Sequence, residues 1–528
     1  MTTIPTPSVE YSVLAPILIV FVVAVAGVLV EAFLPRGARY RTQLTLALAG
    51  LAASFVALVG VYRNTGEGRL AAVGAIAVDR PALFLQAAIL LISALGVLLI
   101  AERSAPVETG SAPRGLEAFT AQASTVPGTL AEQVATRAGA AQTEVFPLTM
   151  FAVGGMMIFP ASGDLLTAFI ALEVFSLPLY LMCGLARRRR LLSQEAGLKY
   201  FLLGAFSSAF FLYGMALLYG FAGTLSISGI AAAVQTGSAN TTPANTTLAV
   251  IGTALVAAAL LFKVSAVPFH AWVPDVYQGA PTPITAFMAA TVKIAAFGAL
   301  LRLLVVAVPA LKDEWRPVLW VIAILTMALG TITAITQRDV KRMLAYSAVA
   351  HTGFILTGLI AANPAGVSGT LFYLAAYGFT TVGAFAFVSA VRDADGAEQT
   401  DLARWAGLGK RHPVAGAVFA LFLLSLAGIP LTSGFVSKFA VFAAAAAGGA
   451  IALVVVGVLA SAVAVYFYIR VIVLMFFTDS PADAPEFRPQ SGLTVIVVAV
   501  PLAVTLVLGM FPQPMLDLVD AATTFAIR

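Results

Sequence analysis

The sequence predicts an all-α polytopic membrane protein of about fourteen transmembrane helices. Three observations lead there. The 528-residue chain is 60% hydrophobic and 10% charged, whereas a soluble domain carries about 25% charge. Apolar runs long enough to cross a hydrocarbon core of about 30 Å recur along the whole length. The lysines and arginines fall mainly in short connections between those runs, so the net charge of +5 reports topology and not nucleic-acid binding.

Hydropathy puts spans 1 to 14 near 12–34, 42–62, 83–101, 146–161, 164–185, 198–221, 247–268, 283–306, 317–336, 340–360, 368–391, 413–447, 450–476 and 491–515. They group into three N-terminal helices (1–101), a polar loop (102–145), two helical blocks (146–306 and 317–476) and a C-terminal helix (491–528). The opening MTTIPTPSVEY has no lysine or arginine, so span 1 reads as a retained helix and not as a signal peptide. Residues 102–145, rich in Ala, Glu, Thr and Gly, read as a flexible loop with a short surface helix around 129–138. Span 12 is long because Gly428-Ile429-Pro430 and Ser433-Gly434 interrupt it, and Pro268 breaks span 7.

Alternate connections differ in charge. One set holds Arg36, Arg39, Arg41, Arg103, Arg114, Arg137, the arginine run 187–190, Arg338, Lys341, Arg342, Arg392, Arg404, Lys410, Arg411, Arg470 and Arg488, nineteen in all. The other holds seven: Arg63, Arg69, Arg80, Arg302, Lys312, Arg316 and Arg528. The positive-inside rule makes the first set cytoplasmic, which puts both termini on the outer side, the periplasmic side in a bacterium. The arginine run reads as a solvated topology determinant that also suits anionic lipid.

Four basic residues remain. Lys199 lies near one end of span 6 and can snorkel to the interface. Lys263, Lys293 and Lys438 lie deep in apolar runs, where a lysine costs about 2.5–3.5 kcal/mol on insertion scales. One acid matches them, Glu173 in span 5. Intramembrane ionisable groups commonly mark ion paths, and interrupted helices are tolerated at depth only where protein or water satisfies the freed backbone. LLFKVSAVPF and FLLSLAGIPLTSGF share an apolar run, Ser, a small residue and Pro. Spans 7 and 12 are five apart, which suggests a five-helix repeat, spans 4–8 and 9–13; an odd number of helices per copy makes the copies inverted. At an effective dielectric of about 20, a Glu173–Lys263 attraction is about 4 kcal/mol at roughly 4 Å and about 2.4 kcal/mol at roughly 7 Å. A small change in separation can therefore load or release a proton, which lysine permits and arginine does not. His351, mid-span, could bridge Lys293 and Lys438 as a relay, and His270 follows Lys263 by seven residues. For both histidines the competing reading is a neutral ring hydrogen-bonded in the bundle; His412, before Pro413, reads as structural.

Cys183 is the sole cysteine, so no iron–sulfur cluster, structural zinc or intrachain disulfide can form within the chain. Gly407-Leu408-Gly409-Lys410 completes no nucleotide-binding glycine motif. The chain is not expected to do redox chemistry itself.

FKVSAVPFHAWVPDVYQGAPTPITAF (262–287) and TVKIAAFGALLR (291–302) strongly resemble the N-subunit family of the bacterial proton-pumping NADH–quinone oxidoreductase, respiratory complex I. LEVFSLPLYLM (172–182), EAGLKYFLLGAFSSAFFLYG (195–214), QRDVKRMLAYSAVAHTGF (337–354) and LSLAGIPLTSGFVSKF (424–439) extend the likeness from span 5 to span 12. Sister antiporter-like subunits and Mrp-type antiporters share the broken spans and buried lysines; PDVYQGAPTP looks most like the N-subunit family. The resemblance implies a membrane-arm subunit with fourteen spans and two inverted repeats, flanked on both sides by other membrane-arm subunits in the bacterial inner membrane. It implies that protons move along Glu173, Lys263, Lys293 and Lys438, driven by NADH oxidation by quinone, with flavin, iron–sulfur clusters and quinone in partner subunits and no cofactor in this chain. The 102–145 segment is longer than the family pattern leads one to expect. Span 10 offers no acid equivalent to Glu173, which suggests a counter-charge for Lys438 on a neighbouring subunit. The competing readings are an Mrp-type sodium/proton antiporter subunit and a structural scaffold in which the lysines only hold helices together.

Overall fold

The computed structural model describes residues 9–526 apart from 67, 104–115, 127–128, 138–140, 241–242 and 490. Arg114 and Arg528, counted above among the loop cations, lie outside the described residues, as does part of the 102–145 loop.

Among the described residues, twelve helices are long and apolar enough to cross a membrane, and three shorter apolar helices accompany them. Spans 1 to 6 are Tyr11–Phe33, Arg36–Asn64, Arg80–Ile100, Val145–Ile158, Leu165–Cys183 and Arg190–Ala222. Span 7 is Pro243–Lys263 followed, after a gap, by Trp272–Gly279. Spans 8 to 11 are Thr282–Leu301, Lys312–Thr336, Val340–Ala361 and Pro364–Ala390. Span 12 is two helices, Pro413–Ala427 and Ser433–Ala447; spans 13 and 14 are Ile451–Phe477 and Gly492–Met510. Spans 8, 10 and 11 are the heart of the bundle, each 94% buried over its most apolar window, whereas span 13 is 28% buried and presents its flank outward.

Side-chain caps fix several helix starts. Asp79, Asp164, Asp339 and Asn363 each accept a hydrogen bond from the backbone N–H three residues on, satisfying one of the donors every helix leaves open. Both interruptions have a local cause. In span 7 the helix stops at Lys263, Ser265 takes φ +66°, and Pro268 has no N–H to continue the ladder. In span 12 Gly428 takes φ +85° and Leu431 +69° on either side of Pro430. A Cβ on Gly428 would lie 2.9 Å from Lys438 Cδ and 3.1 Å from its Nζ. The glycine supplies both the left-handed turn and the room for the lysine.

Sequence reasoning missed a small antiparallel hairpin, Arg69–Ala71 with Ile76–Val78. Both ends of the described chain meet it: Ala72 N donates to Glu10 Oε2 at 3.0 Å, and Ala526 N to Asp79 Oδ2 at 2.9 Å. The two ends therefore share one face of the bundle.

The polar loop does form a helix, Leu130–Arg137, and its described residues are strapped down. Arg190 reaches Glu132 and the Ala123 carbonyl at 2.9 Å each, and Glu117 meets Arg392 at 2.8 Å and Arg187 at 3.5 Å. Arg190→Ala removes the clamp, and the expected result is faster trypsin cleavage after Arg137, the one trypsin site in 116–137, with unchanged membrane insertion. Cleavage at the wild-type rate would show that the clamp does not hold the loop.

Candidate functional site

The three deep lysines are each enclosed, Lys263 and Lys293 at 2% exposure and Lys438 at 5%, and each is satisfied differently. Lys263 ends the first half of span 7, where its charge faces the partial negative end of its own helix. Its Nζ donates to Ser176 Oγ at 2.8 Å and Tyr180 Oη at 3.1 Å, both from span 5. The rings of Tyr180, Tyr200 and Phe175 lie 5.3–5.6 Å away, a cation–π cage for an ammonium shielded from water.

Glu173 is half-buried one turn before Ser176. It forms no ion pair with Lys263 within 4 Å; its Oε1 is enclosed and has no hydrogen-bond partner. It still acts electrostatically on Lys263 and Tyr180. The carboxylate and the amine thus interact without direct contact. His270 lies half-buried in the span 7 gap, its Nδ1 enclosed and unpartnered, and shares no hydrogen bond with Lys263.

Lys293 carries the row onward from span 8 into span 10. Its Nζ donates to the Ala348 carbonyl and to Thr352 Oγ1, both at 2.6 Å, with Ser265 Oγ at 3.4 Å. Thr352 also donates to the Val264 carbonyl freed by the span 7 gap, at 2.5 Å. That hydroxyl therefore joins the residue after Lys263 to Lys293.

His351 is fully enclosed next to Thr352. Its Nδ1 shares a hydrogen bond of 2.7 Å with Tyr373 Oη, and its Nε2 one of 3.3 Å with Tyr468 Oη. Lys293 and Lys438 both act electrostatically on its ring.

Lys438 has no carboxylate within 4 Å among the described residues. Its Nζ donates to the carbonyls of Leu426 and Ala427, at 3.1 and 2.7 Å, and to Ser461 Oγ at 2.8 Å. Those carbonyls end the first half of span 12, where the interruption leaves them without helical donors. Three hydrogen bonds from a charged donor, at about 1.5–3 kcal/mol each, offset the cost of holding an ammonium at this depth.

Sequence reasoning missed the hydroxyls between the ionisable groups. Ser176 and Tyr180 follow Glu173 at i+3 and i+7, and Tyr373 and Tyr377 are i, i+4 on span 11; one polar stripe on an otherwise apolar helix was the available signal. It also misassigned Lys341, counted as a loop cation, which is 5% exposed, donates to the Ala280 carbonyl at 2.8 Å and lies 4.0 Å from Glu398. Lys341 and Glu398 line a cavity of about 290 Å³ on the arginine-rich face, with Arg187, Arg189, Thr282 and Glu117. Lys199 pairs with Glu195 and Asp275, at 2.5 and 2.8 Å, beside that face. Among the described residues no group of His, Cys, Asp and Glu is placed to hold a metal ion.

The comparisons with known proteins agree with this architecture. Residues 162–464 match the family described as NADH:quinone oxidoreductase/Mrp antiporter, TM. The chain is 63% identical over 537 residues to the NADH-quinone oxidoreductase subunit N of Rhodococcus opacus, covering 99% of this chain and 97% of that one. It is 62% identical over 530 residues to the subunit N of Mycobacterium tuberculosis, covering 98% and 99%. Among solved structures, a chain of respiratory complex I from Thermus thermophilus with bound aureothin superposes with a TM-score of 0.75 at 31% identity, covering 96% of this chain and all of that chain (100%). A chain of the Mrp complex from Dietzia superposes at 0.79 with 22% identity and 97% coverage of both, a likeness of fold alone. With a family match over more than half its length and relatives identical at most positions from end to end, this chain belongs to the NADH:quinone oxidoreductase/Mrp antiporter transmembrane family.

Proposed function

We propose that this chain is the proton-translocating N subunit in the membrane arm of a bacterial NADH–quinone oxidoreductase, working beside other membrane-arm subunits. The observation that carries the reading is the row of polar groups through the bundle: Glu173, Ser176/Tyr180, Lys263, Thr352, Lys293, His351 and Lys438. The identity to curated N subunits over 98–99% of the chain supports it independently.

In this mechanism each lysine alternates between ammonium and amine, and the intervening hydroxyls and His351 hand protons along the row. Glu173 tunes Lys263 from beyond ion-pair distance, so a shift of span 5 against span 7 changes the lysine's charge state. Catalysis is coupled to quinone reduction in partner subunits, which hold the flavin and iron–sulfur centres; this chain contributes only proton transfer. His270, lacking a contact with Lys263, is left with at most a marginal part. The two interrupted helices, one in 146–306 and one in 317–476, support two inverted five-helix repeats. The excess of cationic connections on one face supports a cytoplasmic placing for that face and an outer placing for both termini, in the bacterial inner membrane. Lys438, which among the described residues donates to two carbonyls and a hydroxyl, takes a full counter-charge from a neighbouring subunit.

The test is purification from the native membrane. Co-isolation with flavin and iron–sulfur subunits, and NADH-driven acidification of proteoliposomes holding the complex, is the expected result. Sodium-dependent exchange by a preparation lacking those subunits would favour an Mrp-type antiporter instead.

A further inference from the structure

Arg302 is counted with the cations of the connections although it lies near the end of span 8, and its side chain is 3% exposed and that of its partner Asp79 0% exposed. Its Nη2 donates to both Asp79 oxygens, at 3.0 and 2.9 Å, and its Nε to the Pro160 carbonyl at 2.8 Å. Asp79 also accepts from Ala82 N at 3.0 Å and from Ala526 N at 2.9 Å, and the Phe525 ring covers the guanidinium at 5.3 Å. The start of span 3, the end of span 8 and the C-terminal tail thus meet on one buried ion pair. Removing either partner strands the other charge in a buried site.

Arg302 marks the point at which span 8 changes winding, from α-helix over Thr282–Leu301 to π-helix over Arg302–Ala307. Such changes are uncommon and recur at functional sites. Lys293 precedes Arg302 by nine residues on the same helix. At about 100° per residue the two side chains leave opposite faces, about 13 Å apart along the axis. The helix between them has no slack. Every residue of Thr282–Leu301 is buried. On the Arg302 side, a Cβ on Gly298 would meet Pro160 Cβ at 2.5 Å and Leu85 Cδ1 at 2.6 Å, and one on Gly96 would meet the Phe287 ring at 3.0 Å. A change of roll at Arg302 therefore reaches Lys293 undamped, and two contacts of 2.6 Å to span 10 leave that amine little tolerance.

We infer that the Arg302–Asp79 pair is a positioning device for Lys293, fixing the roll of span 8 from behind so that the amine meets Ala348 and Thr352. The inference rests on the reading of Lys293 as a proton carrier.

The experiment compares Arg302→Met, Asp79→Asn, Arg302→Lys and Lys293→Ala, with the Lys293→Ala/Arg302→Met double variant, in the assembled complex in proteoliposomes. NADH oxidation and proton translocation are normalised to the amount of complex assembled. Each anchor variant is expected to lower coupled turnover on the order of tenfold, less than the roughly 10²-fold that a misplacement of about 1 Å can cost, and the double variant to be no slower than Lys293→Ala. Arg302→Lys keeps the charge but cannot span Asp79 and Pro160 together; it is expected to fall between wild type and Arg302→Met, and it carries the comparison should Arg302→Met fail to assemble. Losses that multiply in the double variant, or wild-type turnover by Arg302→Lys, would reduce the pair to a stability anchor and overturn the inference. Unchanged pumping by Lys293→Ala would instead remove the proton-carrier reading itself.

Discussion

Lys263→Ala is expected to cut proton translocation by about 10²-fold, the lower end of what a positioned acid–base group contributes, while the complex still assembles. The structure gives reasons for both halves of that expectation. Ser176 Oγ keeps its bond to the Leu172 carbonyl at 2.5 Å, and the Tyr180 ring stays packed against Tyr200, so losing the amine leaves both hydroxyl side chains held, while Glu173, which makes no ion pair with it within 4 Å, loses only a through-space attraction. The row itself is cut between Glu173 and Thr352. Lys263→Arg should be comparably inactive, since a guanidinium holds its proton. Glu173→Ala should do less than Lys263→Ala, because the carboxylate acts on the amine through space and not through a bond. NADH oxidation and dye-reported acidification, measured together in proteoliposomes, decide the matter. A normal proton-to-electron ratio in Lys263→Ala would rule this lysine out as a carrier.

Gly434→Ala is expected to lower the amount and the melting temperature of the assembled protein. The added Cβ would lie 1.8 Å from the Ser425 carbonyl oxygen and 2.7 Å from its carbon. Main chain cannot step aside as a side-chain tip does, so the two halves of span 12 must part, at about 1–3 kcal/mol or more. Ser425 immediately precedes the two residues whose carbonyls hold Lys438, so proton translocation per assembled complex should fall as well. Gly220→Ala, where a Cβ meets nothing within 4 Å, is the matched control and should be neutral. Equal melting temperatures for the two variants would show that the halves of span 12 are not locked at Ser425.

The bundle was legible because hydropathy reports solvent, and a bilayer leaves few options besides helices. Every span found by hydropathy has its helix, to within several residues. The span 7 interruption was harder. Pro268 is the visible breaker, but the helix already stops at Lys263, because a proline disrupts the turn before it as well as its own position. The helix Trp272–Gly279 was hidden for the same reason that it matters: eight residues containing Asp275 and Gln278 carry no membrane-length signal. At the site, charges in oil were conspicuous and gave Glu173, Lys263, Lys293 and Lys438. Serines, threonines and tyrosines are common in apolar helices and become meaningful only when spans 5, 7, 10, 11 and 13 converge. Lys341 and Arg302 were misread because sequence distance from a span end is a poor measure of burial; their enclosure comes from loops folding back over them.

The main-chain oxygens that grip Lys438 differ in kind from an aspartate or glutamate. No pH within the range of life neutralises a peptide carbonyl, and no side-chain replacement deletes one. The part of the attraction that this chain's own carbonyls supply is thus fixed in strength, and within the chain it varies only as the kinked segment carries the helix tip toward or away from the amine.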